Sequence, residues 1–328
     1  TRFWDAFGSA ENRFVAKPSL EFDIVEQKIR TDFVLDYISG SFDQNLDKTA
    51  SIKYGFTNVG FQPSIKIIKD DLTINAGVGL FYSAAQESGE SKFFVYPQVT
   101  GSYKIVGDLM ILYAGLEGTL QQNSYHDFVQ DNFFVSPTLA VAPTDQKFDI
   151  YAGLKGKLAS SISYNIRGSY KNEDGKALFK SNTYDHFNAN TDGYTFGNSF
   201  DIVYDKVKTI SFFGELKADF SKNVAFGING TFSSFSTDAE KEAWNLPAIK
   251  LASTIDVNIT PKWYAGTSLF FVGERKDVFR QATVTIPFPP DENITLKSFF
   301  DLNAHVGFKY SDRLTFFLRG NNLANQDY

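Results

Sequence analysis

The segment ISFFGELKADFSKNVAFGINGTFSSF, residues 210–235, alternates with period two on either side of a short polar turn. Ile210, Phe212, Gly214, Leu216, Ala218 and Phe220 fall on one side, and Ser211, Phe213, Glu215, Lys217 and Asp219 on the other. Period two is the signature of an extended strand with two unlike faces. Such a strand belongs either to a soluble sandwich, whose apolar face meets a second sheet, or to a membrane barrel, whose apolar face meets lipid and whose polar face meets a wet lumen.

The pattern recurs along the whole chain, for example in Leu72–Tyr82, Phe148–Gly156, Ile162–Tyr170, Ile249–Ile259 and Phe300–Tyr310. It predicts about fourteen strands of about 10 to 14 residues, where a membrane crossing needs about 9 to 11 and a soluble strand averages about five or six. Short turns fall at Glu26–Lys28, Asp70–Asp71, Gly107–Asp108, Ala159–Ser161, Ser221–Lys222, Thr260–Lys262 and Ser311–Asp312. They alternate with longer polar connections at Asp43–Lys48, Ala85–Ser91, Gln121–Gln146, Asn172–Lys206, Ser236–Asn245 and Arg275–Leu296. Short turns at one rim and long loops at the other are the asymmetry of an outer-membrane barrel. A propeller or solenoid would repeat a motif at a fixed period, and none appears.

Composition agrees. The 328 residues include 34 Phe and 16 Tyr against one Met, a balance suited to strands. Apolar runs fall short of the roughly 18 residues of a membrane helix, so any crossing is made by strands. With no cysteine there is no thiolate metal site or Cys nucleophile, and a net charge of -6 argues against a nucleic-acid partner. The reading is an all-β fold, a transmembrane antiparallel up-and-down β-barrel occupying residues 1–328 as a single domain. The first strand, about Phe14–Ile24, runs toward the short-turn rim and the last, about Arg313–Asn321, runs away from it. Strand parity therefore predicts a barrel incomplete at both ends, with about 16 or more strands when closed.

The polar face carries Lys17, Glu21, Asp23, Arg30, Asp32, Asp36, Glu117, Lys155, Arg167, Glu215, Lys217, Asp256, Asp301, His305 and Arg319. Charges of both signs in a dry sandwich core would be prohibitive, whereas in a hydrated lumen they stay solvated or pair. Bulky residues on the same face, Phe81, Phe94, Tyr96, Tyr151, Phe213 and Phe270, are candidates to fill the bore. On the apolar face, Leu216, Ile228, Ile255 and Val306 are expected near the bilayer midplane. Aromatics near strand ends, Tyr103, Tyr170, Phe220, Trp263, Phe308 and Tyr310 together with Phe93, Phe235 and Phe271, are expected to form the girdles that anchor a barrel at its interfaces. Tyr125, Phe128, Phe133, Phe134, Tyr184, Phe187, Tyr194 and Trp244 are read as loop packing, with a sugar-stacking platform as the alternative.

Chemistry-bearing patterns are sparse. His126, His186 and His305 are the three histidines, and His305 lies on one strand face with Asp301, four residues away. There is no G-x-S-x-G elbow, His pair, calcium loop or phosphate cradle, so the sequence assigns no enzyme activity, cofactor or metal.

Several phrases, GNSF (Gly197–Phe200), AWNLPAIKL (Ala243–Leu251), WYAGTSLFFVGERKD (Trp263–Asp277) and FLRGNNLANQDY (Phe317–Tyr328), resemble an outer-membrane barrel family of Bacteroidota described as TonB-dependent-receptor-like. VSPTLAVAPTDQ (Val135–Gln146) and IYAGLKGKL (Ile150–Leu158) extend the likeness. The resemblance implies the fold and a location in the cell outer membrane, with a lipid bilayer as partner. The chain shows no plug domain, no TonB box and no closing strand with a terminal aromatic. Three functions are weighed: receptor-like transport, a passive porin, and a non-conducting subunit of a secretion or barrel-insertion assembly that contacts other outer-membrane proteins or surface lipoproteins.

Overall fold

The computed structural model describes residues 1–24, 27–182, 193–279 and 292–326. The strands are β1 (Arg2–Trp4), β2 (Ala10–Ala16), β3 (Ser19–Ile24), β4 (Gln27–Phe42), β5 (Ile52–Lys69), β6 (Leu72–Ala85), β7 (Ser91–Val106), β8 (Met110–Gln121) and β9 (Thr144–Ala159). They continue with β10 (Ile162–Ser181), β11 (Phe200–Ser221), β12 (Val224–Ser236), β13 (Ile249–Asn258), β14 (Trp263–Val272), β15 (Arg275–Phe279), β16 (Glu292–Leu296), β17 (Phe299–Ser311) and β18 (Leu314–Gly320). One helix, α1, spans Tyr125–Asp131. Sixteen strands form one antiparallel up-and-down sheet, and β15 and β16 form a separate two-stranded antiparallel sheet. The sheet is not closed: β1 and β18 are its edges and do not pair with each other.

The strand count matches the alternation closely. β2 and β3 both pair with β4 in one continuous register, Ala16 opposite Leu35 and Ser19 opposite Asp32. They are one strand interrupted at Lys17–Pro18, because proline has no N–H to donate, while the Pro18 carbonyl still accepts from Phe33 N at 2.9 Å. Lys17 therefore sits in the interruption, which corrects its expected place on the polar face of the first strand. The first short turn, at Glu26–Lys28, lies partly outside the described residues. The remaining short turns fall where the alternation placed them, with Asp70 (φ 50°) and Gly107 (φ 49°) in left-handed conformations at two of them.

Register shows how the two faces are built. Leu72, Tyr103, Leu112, Leu154, Ile166, Gly214, Gly230, Leu251, Phe271 and Phe300 stand side by side across ten strands. One residue along, the row reads Thr73, Ser102, Tyr113, Gly153, Arg167, Phe213, Thr231 and Lys250. A one-residue slip would exchange the rows entirely, so the two unlike environments fix the register. The apolar row is the outer face, where Ile210 is 62% exposed and Phe212 56%. The other face is concave: the segment around α1, which follows β8, packs on Ile38, Phe42 and Tyr54 of β4 and β5 and on Ile202 of β11. The sheet has to curl for strands that far apart to meet one segment.

The structure corrects the connection expected at Asn172–Lys206. Residues up to Ser181 and from Phe200 onward continue β10 and β11 as a long hairpin beyond the rest of the sheet. A bulge between Glu173 and Lys176, with Gly175 at φ 65°, marks where the extension begins. Beyond it both faces are covered. Ala177, Phe179, Ile202 and Tyr204 pack against the α1 segment, while Leu178, Val203 and Val207 pack against Trp244 and Val278. With two apolar faces the alternation vanishes, which is why KALFKS and FDIVYDKV do not read as half-buried strands. Likewise the connection expected at Arg275–Leu296 supplies the paired strands β15 and β16, which place Val278 in this second cluster and let buried Asp277 accept from Ser181 N at 3.1 Å.

Asp205 fastens one cover. Its carboxylate accepts from the N–H groups of Asp238 (3.1 Å), Ala239 (3.0 Å) and Glu240 (2.9 Å). Glu240 in turn accepts from Lys180 Nζ (2.8 Å) and Trp244 Nε1 (2.7 Å). Burial pushes the Asp205 carboxyl up, but the backbone donors of Glu240, Ala239, Lys206 and Asp238 outweigh it and hold the group below its ordinary value of 3.8. For Glu240 burial acts upward too, and Lys180 and Trp244 reverse it.

Two outcomes are expected. Arg at Leu216, Ile228, Ile255 or Val306, all on the outer face, should destabilise the vesicle-inserted sheet by about 2 to 4 kcal/mol in denaturant titrations, whereas Asn229→Arg on the inner face should cost less than about 1 kcal/mol. Because the Asp205 pKa is depressed on folding, its contribution is complete above the unfolded value and is lost as pH falls through the folded one. Limited proteolysis should therefore show residues 237–246 protected at pH 5, with protection declining only once the pH falls below 3.8 and lost as it passes through the lower folded-state value. Asp205→Ala should lose that protection at neutral pH, with a loss of about 2 to 3 kcal/mol in docking.

Candidate functional site

Inner-face residues of β8 to β13 line a cavity of about 860 Å³. Tyrosines and glycines alternate across the β8–β9 pair, Tyr113 opposite Gly153 and Tyr151 opposite Gly115. Each ring lies over the neighbouring glycine, and a Cβ at Gly115 or Gly153 would overlap the Tyr151 or Tyr113 ring respectively. The flat rings serve as platforms for charge: the Arg167 guanidinium lies 3.8 Å from the Tyr151 ring centre and Lys155 Nζ 5.4 Å from that of Tyr113. Arg167 Nη2 also donates to Asp149 at 2.7 Å, Tyr151 Oη to Glu117 at 2.6 Å, and Tyr113 Oη to Asn165 at 2.6 Å. Buried atoms without a protein partner cluster here, namely Asp149 Oδ1, Arg167 Nε and Thr209 Oγ1. Unsatisfied donors and acceptors at one cavity wall suit water or a polar solute.

The structure distributes the charged candidates over one face in groups. Lys155 and Arg167 line the large cavity and Glu117 anchors its wall through Tyr151. Glu215 pairs with Lys217 at 2.9 Å, and Lys217 and Asp256 share a cavity of about 430 Å³. Asp256, His305 and Arg319 meet in another of about 350 Å³, where Gly266 leaves the space between the carboxylate and the imidazole. Asp301 stays apart and accepts from Asn303 Nδ2 at 3.0 Å, while the His305 ring packs on Tyr264 with 6.0 Å between centroids. Asp301 and His305 therefore do not form a base and its orienter.

The aromatic candidates Tyr103, Tyr170, Phe220, Trp263, Phe308 and Tyr310 occupy the opposite, apolar face. Trp263 and Phe308 pack at 4.7 Å, and Tyr103, Phe220 and Tyr310 are exposed beside short turns. Tyr170 stands farther along β10, between Ile150 and Ile210 and against Phe148. Phe235 is a correction: it shares the face of Thr231 and Ser233 and lines the large cavity. Of the bulky inner residues, Phe81, Phe94 and Tyr96 cluster with Leu120, Tyr151 and Phe213 line the cavity, and Phe270 sits opposite Asp301.

Residues 122–143 cover the concave face at the long-loop end, anchored by charges that alternation alone did not single out. Buried Glu11 accepts from Tyr54 Oη (2.7 Å), Tyr125 N (2.7 Å) and His126 N (3.2 Å). Arg13 donates to Asp36 (2.7 Å), Asp127 (2.9 Å) and the Gln122 carbonyl (3.2 Å). Asn58 Nδ2 donates to Gln122 at 2.7 Å. The one sequence signal for Glu11 and Arg13 is their alternation with Asn12 and Phe14. Among loop aromatics, Tyr125, Phe128, Tyr194 and Trp244 are buried, whereas Phe133 and Phe134 are 78% and 66% exposed. Tyr184, His186 and Phe187 lie outside the described residues. Among the described residues there is no group of three or more His, Asp or Glu able to hold a metal ion.

No known family model and no curated protein matches the sequence. Solved structures do match in fold. The copper transporter OprC superposes with a TM-score of 0.65 at 11% identity, over 98% of this chain and 52% of that one. The pyoverdine outer-membrane receptor FpvA from Pseudomonas aeruginosa gives 0.65 at 13% identity, over 97% and 49%. The FrpB iron transporter from Neisseria meningitidis gives 0.66 at 10%, over 97% and 51%. The chain thus spans about half the length of these proteins, and across that span it has the fold of TonB-dependent outer-membrane receptor barrels.

Proposed function

We propose that the chain forms the wall of an outer-membrane β-barrel that serves transport in the manner of TonB-dependent receptors. One observation carries the reading: a single register sends an unbroken apolar row outward across ten strands and gathers charged side chains of both signs inward. Lipid and water are the pair of solvents that fit those faces. Glu117, Lys155, Arg167, Glu215, Lys217, Asp256, Asp301, His305 and Arg319 then face the lumen, and the tyrosine, phenylalanine and tryptophan side chains beside the short turns anchor one interface. In lipid the β1 and β18 edges have to be paired, so the reading requires further strands to close the wall.

The docked 122–143 segment and the Phe81–Phe94–Tyr96 cluster favour a gated passage over a passive porin. A second reading, a non-conducting subunit of a larger outer-membrane assembly, is favoured by exposed Phe133 and Phe134 on the covering segment, where a neighbouring protein or surface lipoprotein would meet them. Single-channel recording in planar bilayers separates these. The native protein should show no steady conductance, and an E11A/R13A variant, which loses the anchors of the cover, should open. A constitutively open native channel would support the porin, and a variant that stays silent while keeping its heat-modifiable mobility would support the subunit.

A further inference from the structure

We infer that the large inner-wall cavity binds a small soluble polyanion, held by Lys155, Lys171 and Lys250. The inference rests on the reading of this face as a water-filled wall and adds a ligand class to it. The cavity is lined by five cationic and two anionic side chains, and each carboxylate is already in an ion pair, with Asp149 Oδ1 left as an unpartnered acceptor. Asp149 is paired with Arg167 at 2.7 Å and Glu173 with Lys176 at 2.9 Å. Lys155, Lys171 and Lys250 make no ion pair among the described residues, which leaves three uncompensated ammonium groups around one cavity. Like charges gathered at a concave wall raise the local potential and attract counter-charge, and they are relieved by a ligand carrying two or more anionic groups.

A second, independent observation points the same way. The Thr209 side chain lines this cavity, is 9% exposed, and its Oγ1 has no partner; Arg167 Nε is buried there and unpartnered as well. Both groups can donate, so an oxygen-rich anion satisfies them together with the lysines. The flanking Tyr113, Tyr151 and Phe213 rings add apolar contact beside the charges. With a volume of about 860 Å³ the cavity suits a small molecule of drug or metabolite size.

Calorimetric titration of the protein folded in detergent micelles, with citrate and inorganic pyrophosphate as probes and glucose as the neutral control, tests this. Citrate or pyrophosphate should bind and glucose should not, with affinity falling as salt is raised. A K155Q/K171Q/K250Q variant with unchanged heat-modifiable mobility should bind at least about tenfold more weakly. If the triple variant does not fold, K171Q and K250Q alone should each weaken binding about threefold. Equal binding by native protein and variants, or no anion binding at all, would overturn the inference. So would binding of a polyglutamate peptide with no binding of either small anion, which would assign the cavity to a polypeptide segment. Loss of heat-modifiable mobility in the native protein would instead contradict the barrel reading.

Discussion

A strand that crosses a bilayer finds no water for its backbone, so every N–H and C=O has to be answered by a neighbouring strand. On the reading proposed above, the organisation of this chain follows from that demand. Long antiparallel strands meet it with the shortest connections, which explains the tight turns at one rim. Proline at position 18 is tolerated because its carbonyl keeps its place in the ladder while its missing N–H opens a brief interruption. Once the ladder is fixed, side chains have two destinations, and each residue's identity follows from which one it faces.

The inner wall is divided in two. On the side of β4 to β7, Ile38, Phe42, Tyr54, Phe81 and Tyr96 are buried under the cover and under one another. On the side of β8 to β13, rings lean over glycines and hold cations at a polar cavity. Buried Glu11 and partly buried Arg13 connect the first half to the cover with charge-assisted hydrogen bonds, the kind that are strong when complete and expensive to leave half-made. The cover is thus bound to the wall by a few side-chain anchors, on which the proposed gating rests.

Much of this was legible in the sequence, because a solvent boundary on each side of a strand writes itself as period two. Ile210–Phe235 reads as the β11–β12 hairpin almost residue by residue, and the charges opposite Leu216 and Ile255 fall on the inner face. Legibility ended where the two solvents ended. The extension of β10 and β11 has protein on both faces, so Leu178, Val203 and Ile202 lost the alternation that would have marked them as strand. Phe235 reads as a girdle aromatic from its place near a strand end, but its odd position sends it inward. Glu11 and Arg13 are ordinary polar-face residues until a segment more than a hundred positions away folds onto them. Such pairings are contacts between distant parts of the chain, and no local pattern encodes them.

The assignment of faces underlies every functional statement, and cysteine labelling measures it directly, since the chain contains no native cysteine. Single cysteines would be placed at Ile228, Asn229, Ile255 and Asp256, two adjacent pairs on neighbouring strands. In the protein inserted into vesicles, a small water-soluble maleimide should modify positions 229 and 256 and spare 228 and 255. Equal modification at all four would show that lipid does not cover the apolar face and would contradict the account.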